Sequence, residues 1–240
     1  MKEVIISSGN KEKVHEQFNT VTKVTSFVND ELVEQLCYYS GTEIIATELY
    51  DKEGVLLRQS GIVPNGQVKE YYGDGSVKRI IDFKNGKAHG KGTDYYPSGE
   101  IFEESCFHQG RLHGPSKLYR RDGSMWTETV YRDGRLHGVF RSYHDNGNIE
   151  TRAEYKNGNL DGSYAKYDKY GSLLEEGTFN QGKKDGDYTS YHETGHPEKV
   201  ERYVEGQLVC SEEYDEDGRT IAAKKRIINH CSTRNINNLK

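Results

Sequence analysis

Apolar and polar residues alternate along this chain in short runs of strand length, and each run is bracketed by a turn cluster. Successive side chains on a strand point to opposite sides, so Val77, Ile81 and Phe83 share one face, as do Ile101 and Phe107. The runs recur at a fixed interval. Tyr71, Tyr95, Tyr119, Tyr143, Tyr167 and Tyr191 stand 24 residues apart, each followed four residues later by a glycine. Eight residues further on comes an aromatic: Phe83, Phe107, Tyr131, Tyr155, Phe179 or Tyr203. Three residues beyond it stands a second glycine, and five of the repeats add a third, so these slots hold 17 of the 26 glycines.

Each unit reads as a β-hairpin. Asn85-Gly86, Asp133-Gly134 and Asn157-Gly158 are two-residue turn signals, because such turns need positive φ. Two strands in 24 residues leave no room for a helix. The fold expected is all-β: an elongated, single-layer antiparallel meander of stacked 24-residue hairpins, each advancing the sheet by ~10 Å. The aromatic and aliphatic file would form its spine, and the signature tyrosines are expected to pack there too.

The period fades at both ends. Tyr50 with Gly54, then Asn65-Gly66, reads as a shortened repeat, and Tyr214 with Gly218 opens an incomplete one. Residues 1–49 are expected to form an N-terminal cap or degenerate repeat, with Phe27 and Asn29-Asp30 as a worn turn, residues 50–220 the array, and residues 221–240 a basic tail or capping segment. In the last segment the glycines stop and Lys224, Lys225 and Arg226 are consecutive. It predicts a short amphipathic helix covering the final strand. Its basic residues are candidates for weak contact with an anionic surface such as lipid.

Composition fits a thin fold. Of 240 residues only 48 are Leu, Ile, Val or Phe, whereas Tyr alone numbers 18 and the net charge is −5. Modest charge and abundant aromatics argue against disorder, so burial must come from neighbouring hairpins rather than from a thick core. No stretch approaches the ~20 apolar residues of a membrane helix, and the apolar run near Met1 is too short for a secretory segment. The four cysteines are scattered without metal-type spacing. Cytoplasmic location is the expectation.

The repeat resembles the MORN family. The stretch Phe83-Lys-Asn-Gly-Lys-Ala-His-Gly-Lys-Gly-Thr-Asp-Tyr-Tyr-Pro-Ser-Gly99 carries the family's aromatic-x-x-Gly-x-x-x-Gly-x-Gly core. Other repeats replace the last glycine of that core by Ser116, Phe140, Tyr164 or Tyr188. Those departures resemble the bacterial MORN-variant repeat grouped with YwqK-type antitoxins. The resemblance implies a non-catalytic interaction module without cofactors. It implies a protein partner, neutralised as an antitoxin neutralises its target, or alternatively a peripheral membrane scaffold. It implies no small-molecule substrate, and the acidic balance suggests no nucleic acid.

Catalytic chemistry finds little support. Glu103-Glu104 and Glu175-Glu176 are tempting pairs, but neighbours on a strand face opposite ways. His89, His113 and His137 recur in one slot. Equivalent residues of adjacent repeats should lie ~10 Å apart, too far to share an ion, so no metal is expected there. One feature breaks the equivalence of repeats. Trp126, the only tryptophan, falls where the preceding repeat has Phe102, and alternation puts both beside Cys106 and Val130 on the face away from the spine. Phe102, Trp126, Val130 and Cys106 are the candidate partner-binding residues.

Overall fold

A computed structural model describes residues 3–4, 12–13, 21–28, 33–40, 43–51, 55–61 and 65–225. The protein is all-β, without helices among the described residues, and successive strands pair antiparallel as hairpins in an open sheet. The chain divides into two units: residues 1–125 with 131–134, and residues 126–130 with 135–240.

Turn chemistry sets the hairpins. At one end of each, two consecutive residues take positive φ: Asn85 and Gly86 at 51° and 72°, Asp133 and Gly134 at 51° and 82°, Asn157 and Gly158 at 53° and 91°. Such pairs match the twist of the flanking strands. Gln109, Gln181 and Glu205 hold the same conformation at 49°, 49° and 53° without the short polar side chain that eases it. The turn is therefore a demand of the repeat. At the opposite end, the Asp74 and Asp122 carboxylates each accept the backbone N–H and hydroxyl of the serine two residues on. That bonding holds both carboxyls below their usual range.

In the first unit the core is Leu36, Tyr38, Ala46, Val68 and Ile81, with Phe83, Ala88 and Phe107 packed against it. Much of it comes from the segment before Tyr50. The strands Val33–Ser40 and Glu43–Tyr50 form a hairpin of their own, and Tyr38 is only 2% exposed. Its hydroxyl donates to Glu48 at 2.9 Å, and Tyr50 donates to the same carboxylate at 3.0 Å. Val21–Val28 pairs with Val33–Ser40 and also, in parallel, with Gly66–Tyr71 through Val21↔Val68 and Thr22↔Lys69. This parallel contact departs from the all-antiparallel expectation, because a non-adjacent strand supplies the neighbour. The worn turn at Asn29-Asp30 and the glycine at Gly54 lie outside the described residues.

In the second unit the spine is built by size complementarity. Tyr164 pairs with Ala153 on one side and Gly177 on the other, and Tyr188 also pairs with Gly177. The Tyr164 and Tyr188 rings stack at 6.2 Å across the strand that carries Gly177, and Phe179 meets both edge-on at 5.7 and 6.2 Å. A side chain at Gly177 would collide with the Tyr188 ring. In the first unit Gly92 stands in the slot that Tyr164 and Tyr188 fill in later repeats, and a Cβ there would lie 2.7 Å from the Phe107 ring.

Two expectations are corrected. Three signature tyrosines do not join the spine: Tyr119, Tyr143 and Tyr191 place their hydroxyls on Glu104, Glu128 and Glu176, each 15 residues earlier. Glu104 pairs with Lys117, next to the buried Ser105↔Ser116 pair, so it belongs to the opposite face. A phenol beside a strand end reaches a carboxylate more easily than a dry interior. The segment expected to be a capping helix is a strand, Thr220–Lys225, paired with Gln207–Tyr214. Ladder hydrogen bonds to an unpaired strand outweigh its weak amphipathic pattern.

Replacing Gly92 by Ala should cost about 1–3 kcal/mol in urea unfolding, because the Phe107 ring must move to admit a methyl group. An unchanged unfolding midpoint would contradict this account of the slot.

Candidate interaction surface

The face opposite the spine is polar and tyrosine-lined. Tyr119, Tyr143 and Tyr191 donate to their glutamates at 2.8, 2.9 and 2.6 Å, and the Arg141 guanidinium joins Glu128 at 2.5 Å. The residue after each signature tyrosine forms a second row. Tyr72 and Tyr96 donate to the carbonyls of Tyr95 and Tyr119 at 2.6 and 2.9 Å, while an imidazole nitrogen of His144 and of His192 lies 2.9 Å from the carbonyls of Tyr167 and Tyr214. Each contact spans 22 or 23 residues and ties one turn to the next. The recurrence of Tyr with Glu fifteen residues earlier was the sequence signal for this row.

The paired carboxylates are divided between faces. Glu103 accepts from Ser116 at 3.1 Å while Glu104 accepts from Tyr119 at 2.8 Å. Glu175 accepts from Tyr188 and Glu176 from Tyr191, both at 2.6 Å. Neither pair converges on a common point. The arrangement offers hydrogen-bonding and apolar surface rather than an acid–base couple.

The four candidate partner-binding residues fall in different units. Phe102 and Cys106 belong to the first, Trp126 and Val130 to the second. Phe102 is half-buried and meets Tyr96 edge-on at 5.2 Å, so its ring already has an internal partner. Cys106 is half-buried over the bulge at Gly114, where a Cβ would lie 3.2 Å from its own. It borders a shallow cavity of about 150 Å³, with Lys91, Thr93, Glu104, Pro115 and Lys117. Trp126 and Val130 are 46% and 40% exposed on the strand Met125–Arg132, four residues apart and with buried Thr129 turned the other way. They form the one aromatic–aliphatic pair of this set that is turned to solvent.

Of the basic C-terminal residues, Lys224 and Lys225 lie on the last strand, where Ser211↔Lys224 and Cys210↔Lys225 are successive pairs. Arg226 lies outside the described residues. Among the described residues no helix is long and apolar enough to cross a membrane.

Four segments match the family model of the MORN repeat variant: residues 64–85, 88–109, 136–157 and 184–205. Each holds one strand, the glycine turn and the next strand, so the likeness to that variant falls on the repeat unit itself. A chain in the structure of the Photorhabdus luminescens Tc holotoxin pore with the TccC3-D651A mutation is 14% identical at a TM-score of 0.20. The match covers 81% of this chain but only 10% of that one, a likeness too slight to bear on fold or function. None of the curated proteins matches the chain.

Burial and then the carboxylate partner push the phenols up: Tyr119 and Tyr214 move from 10.0 to about 12, beside Glu104 and Glu212. A raised folded-state pKa means their contribution is complete below pH 10.0 and is lost as pH climbs towards about 12. Thermal melts taken from about pH 8 to about pH 11.5 should show the midpoint falling only above pH 10.0, and falling less in a Tyr119→Phe, Tyr214→Phe double variant. A flat profile in the parent protein would contradict the assignment.

Proposed function

We propose that this chain is a non-catalytic binding protein that presents the outer face of its MORN-type hairpins to another protein. The observation that carries the reading is the exposed Trp126–Val130 pair on an otherwise polar, hydrogen-bonded face. An exposed tryptophan that shares a strand face with an exposed aliphatic residue has the composition of an interface anchor. Glu128 lies between them on the same face and pairs with Arg141 of the neighbouring strand.

Within that reading the partner is a toxin-like protein held in a neutral complex, an inference that rests on the likeness to the YwqK-type group. Membrane scaffolding is the alternative, and it rests on the consecutive basic residues Lys224, Lys225 and Arg226. The polar face favours a folded protein partner over a small substrate, since the cavity beside Cys106 is shallow and open to solvent.

The test compares the full-length protein with a Trp126→Ala, Val130→Ser variant in capture from native lysate, alongside sedimentation with vesicles containing an acidic lipid. The expected result is a protein retained by the parent chain and lost, by tenfold or more, from the variant, with melting changed little and vesicle binding absent. Equal capture by both chains would overturn the anchor. Sedimentation with vesicles, equal for both chains, would favour the scaffold reading instead.

A further inference from the structure

The slot that holds His89 and His113 has a structural duty elsewhere in the array. Asp161 and Asp185 occupy it in later repeats, and their carboxylates accept the backbone N–H of Gln181 and Glu205, 20 residues on, at 3.3 and 3.1 Å. Asn65 serves Asn85 in the same way. The slot therefore caps the positive-φ residue of the next turn. In the first unit His113 reaches instead the side chain of Asp133, with Nδ1 3.2 Å from Oδ1.

Between the two slot histidines stands a third imidazole that the repeat does not require. His108 lies at the end of the strand Ile101–His108, flanked by the strands that carry His89 and His113. Its ring centre is 5.1 Å from that of His89 and 5.6 Å from that of His113. The slot histidines alone would be too widely spaced, but an imidazole from the intervening strand halves the gap. Two imidazoles that share one zinc ion, each at ~2.1 Å, hold their ring centres roughly 5 to 6 Å apart. Asp133 fixes Nδ1 of His113 and leaves Nε2 to ligate, the carboxylate–histidine arrangement that supports zinc ligands. His108 and His113 are exposed at the hairpin ends, so their rings can turn towards a common point. All four residues belong to the first unit.

We propose that His108 and His113, the latter oriented by Asp133, form a surface site for a divalent transition-metal ion of the zinc type. Among the described residues no three such side chains already converge on one point, so the site assembles by ring rotation and water completes the coordination. Imidazole ligands favour zinc, nickel and copper over magnesium and calcium. The ion would clamp two adjacent hairpins at their tips.

The experiment is calorimetric titration of the full chain, without an affinity tag, with zinc chloride and separately with magnesium chloride. One zinc per chain should bind and be removed by chelator, with no heat of binding from magnesium. His108→Ala should weaken zinc binding at least tenfold, and Asp133→Asn about tenfold by loosening His113. His137→Ala, in the other unit, should leave it unchanged. Melting of each metal-stripped variant is measured in parallel, so that a folding defect is distinguished from loss of a ligand. Zinc binding equal in the parent and His108→Ala chains, or weakened as much by His137→Ala, would overturn the site, as would no zinc binding by the parent at all.

Discussion

A single backbone hydrogen bond, repeated along the array, is what turns hairpins into a sheet with a fixed period. The glycine N–H in each positive-φ turn donates to a carbonyl of the preceding hairpin: Gly110 to Ala88, Gly134 to Leu112, Gly158 to Leu136, Gly182 to Leu160 and Gly206 to Lys184, all at 2.8 or 2.9 Å. The bond can form only if the turn has two residues in the left-handed region and the next hairpin starts in constant register. Hence the glycine spacing tolerates no drift, and a non-glycine residue at φ near 50° is accepted wherever the register demands it. With the turns so fixed, every slot faces the same neighbours in each repeat. Side-chain size then becomes the variable that local packing must settle.

That constraint explains what was legible in the sequence. The turn glycines and the second aromatic of each repeat are imposed by backbone geometry and by the spine, so they recur visibly. Complementarity between slots is harder to read, because the pairing of Tyr164 and Tyr188 with Gly177 involves residues in separate repeats. The signature tyrosines recur as regularly as the spine aromatics. Regularity does not say which face a residue occupies, and the carboxylate at Glu104 or Glu176 decides it. The N-terminal strands escaped the period for another reason. They contribute Leu36, Tyr38 and Ala46 to the core, and their place is set partly by the parallel contact of Val21 with Val68, which carries no turn signature.

The candidate site was legible only as a break in equivalence. Trp126 stood out because other repeats put a different residue in its slot, and it is exposed on its strand. Phe102 stood out on the same grounds, yet its ring is already engaged with Tyr96. The histidines show the converse. A fixed spacing argued against a shared ion for the slot residues, while His108 has no place in the period and enters their company through strand pairing. The positions the repeats share are occupied in holding the sheet, so the residues free to vary are those where repeats differ.

The most direct measurement is hydrogen exchange of the turn-glycine amides, followed residue by residue in the folded chain. The account predicts that Gly110, Gly134, Gly158, Gly182 and Gly206 exchange as slowly as amides within the strands, although each sits in an exposed turn. Exchange of these amides at the rate of an unstructured chain, with the strand amides still protected, would contradict the cross-repeat bond on which the array is held to depend.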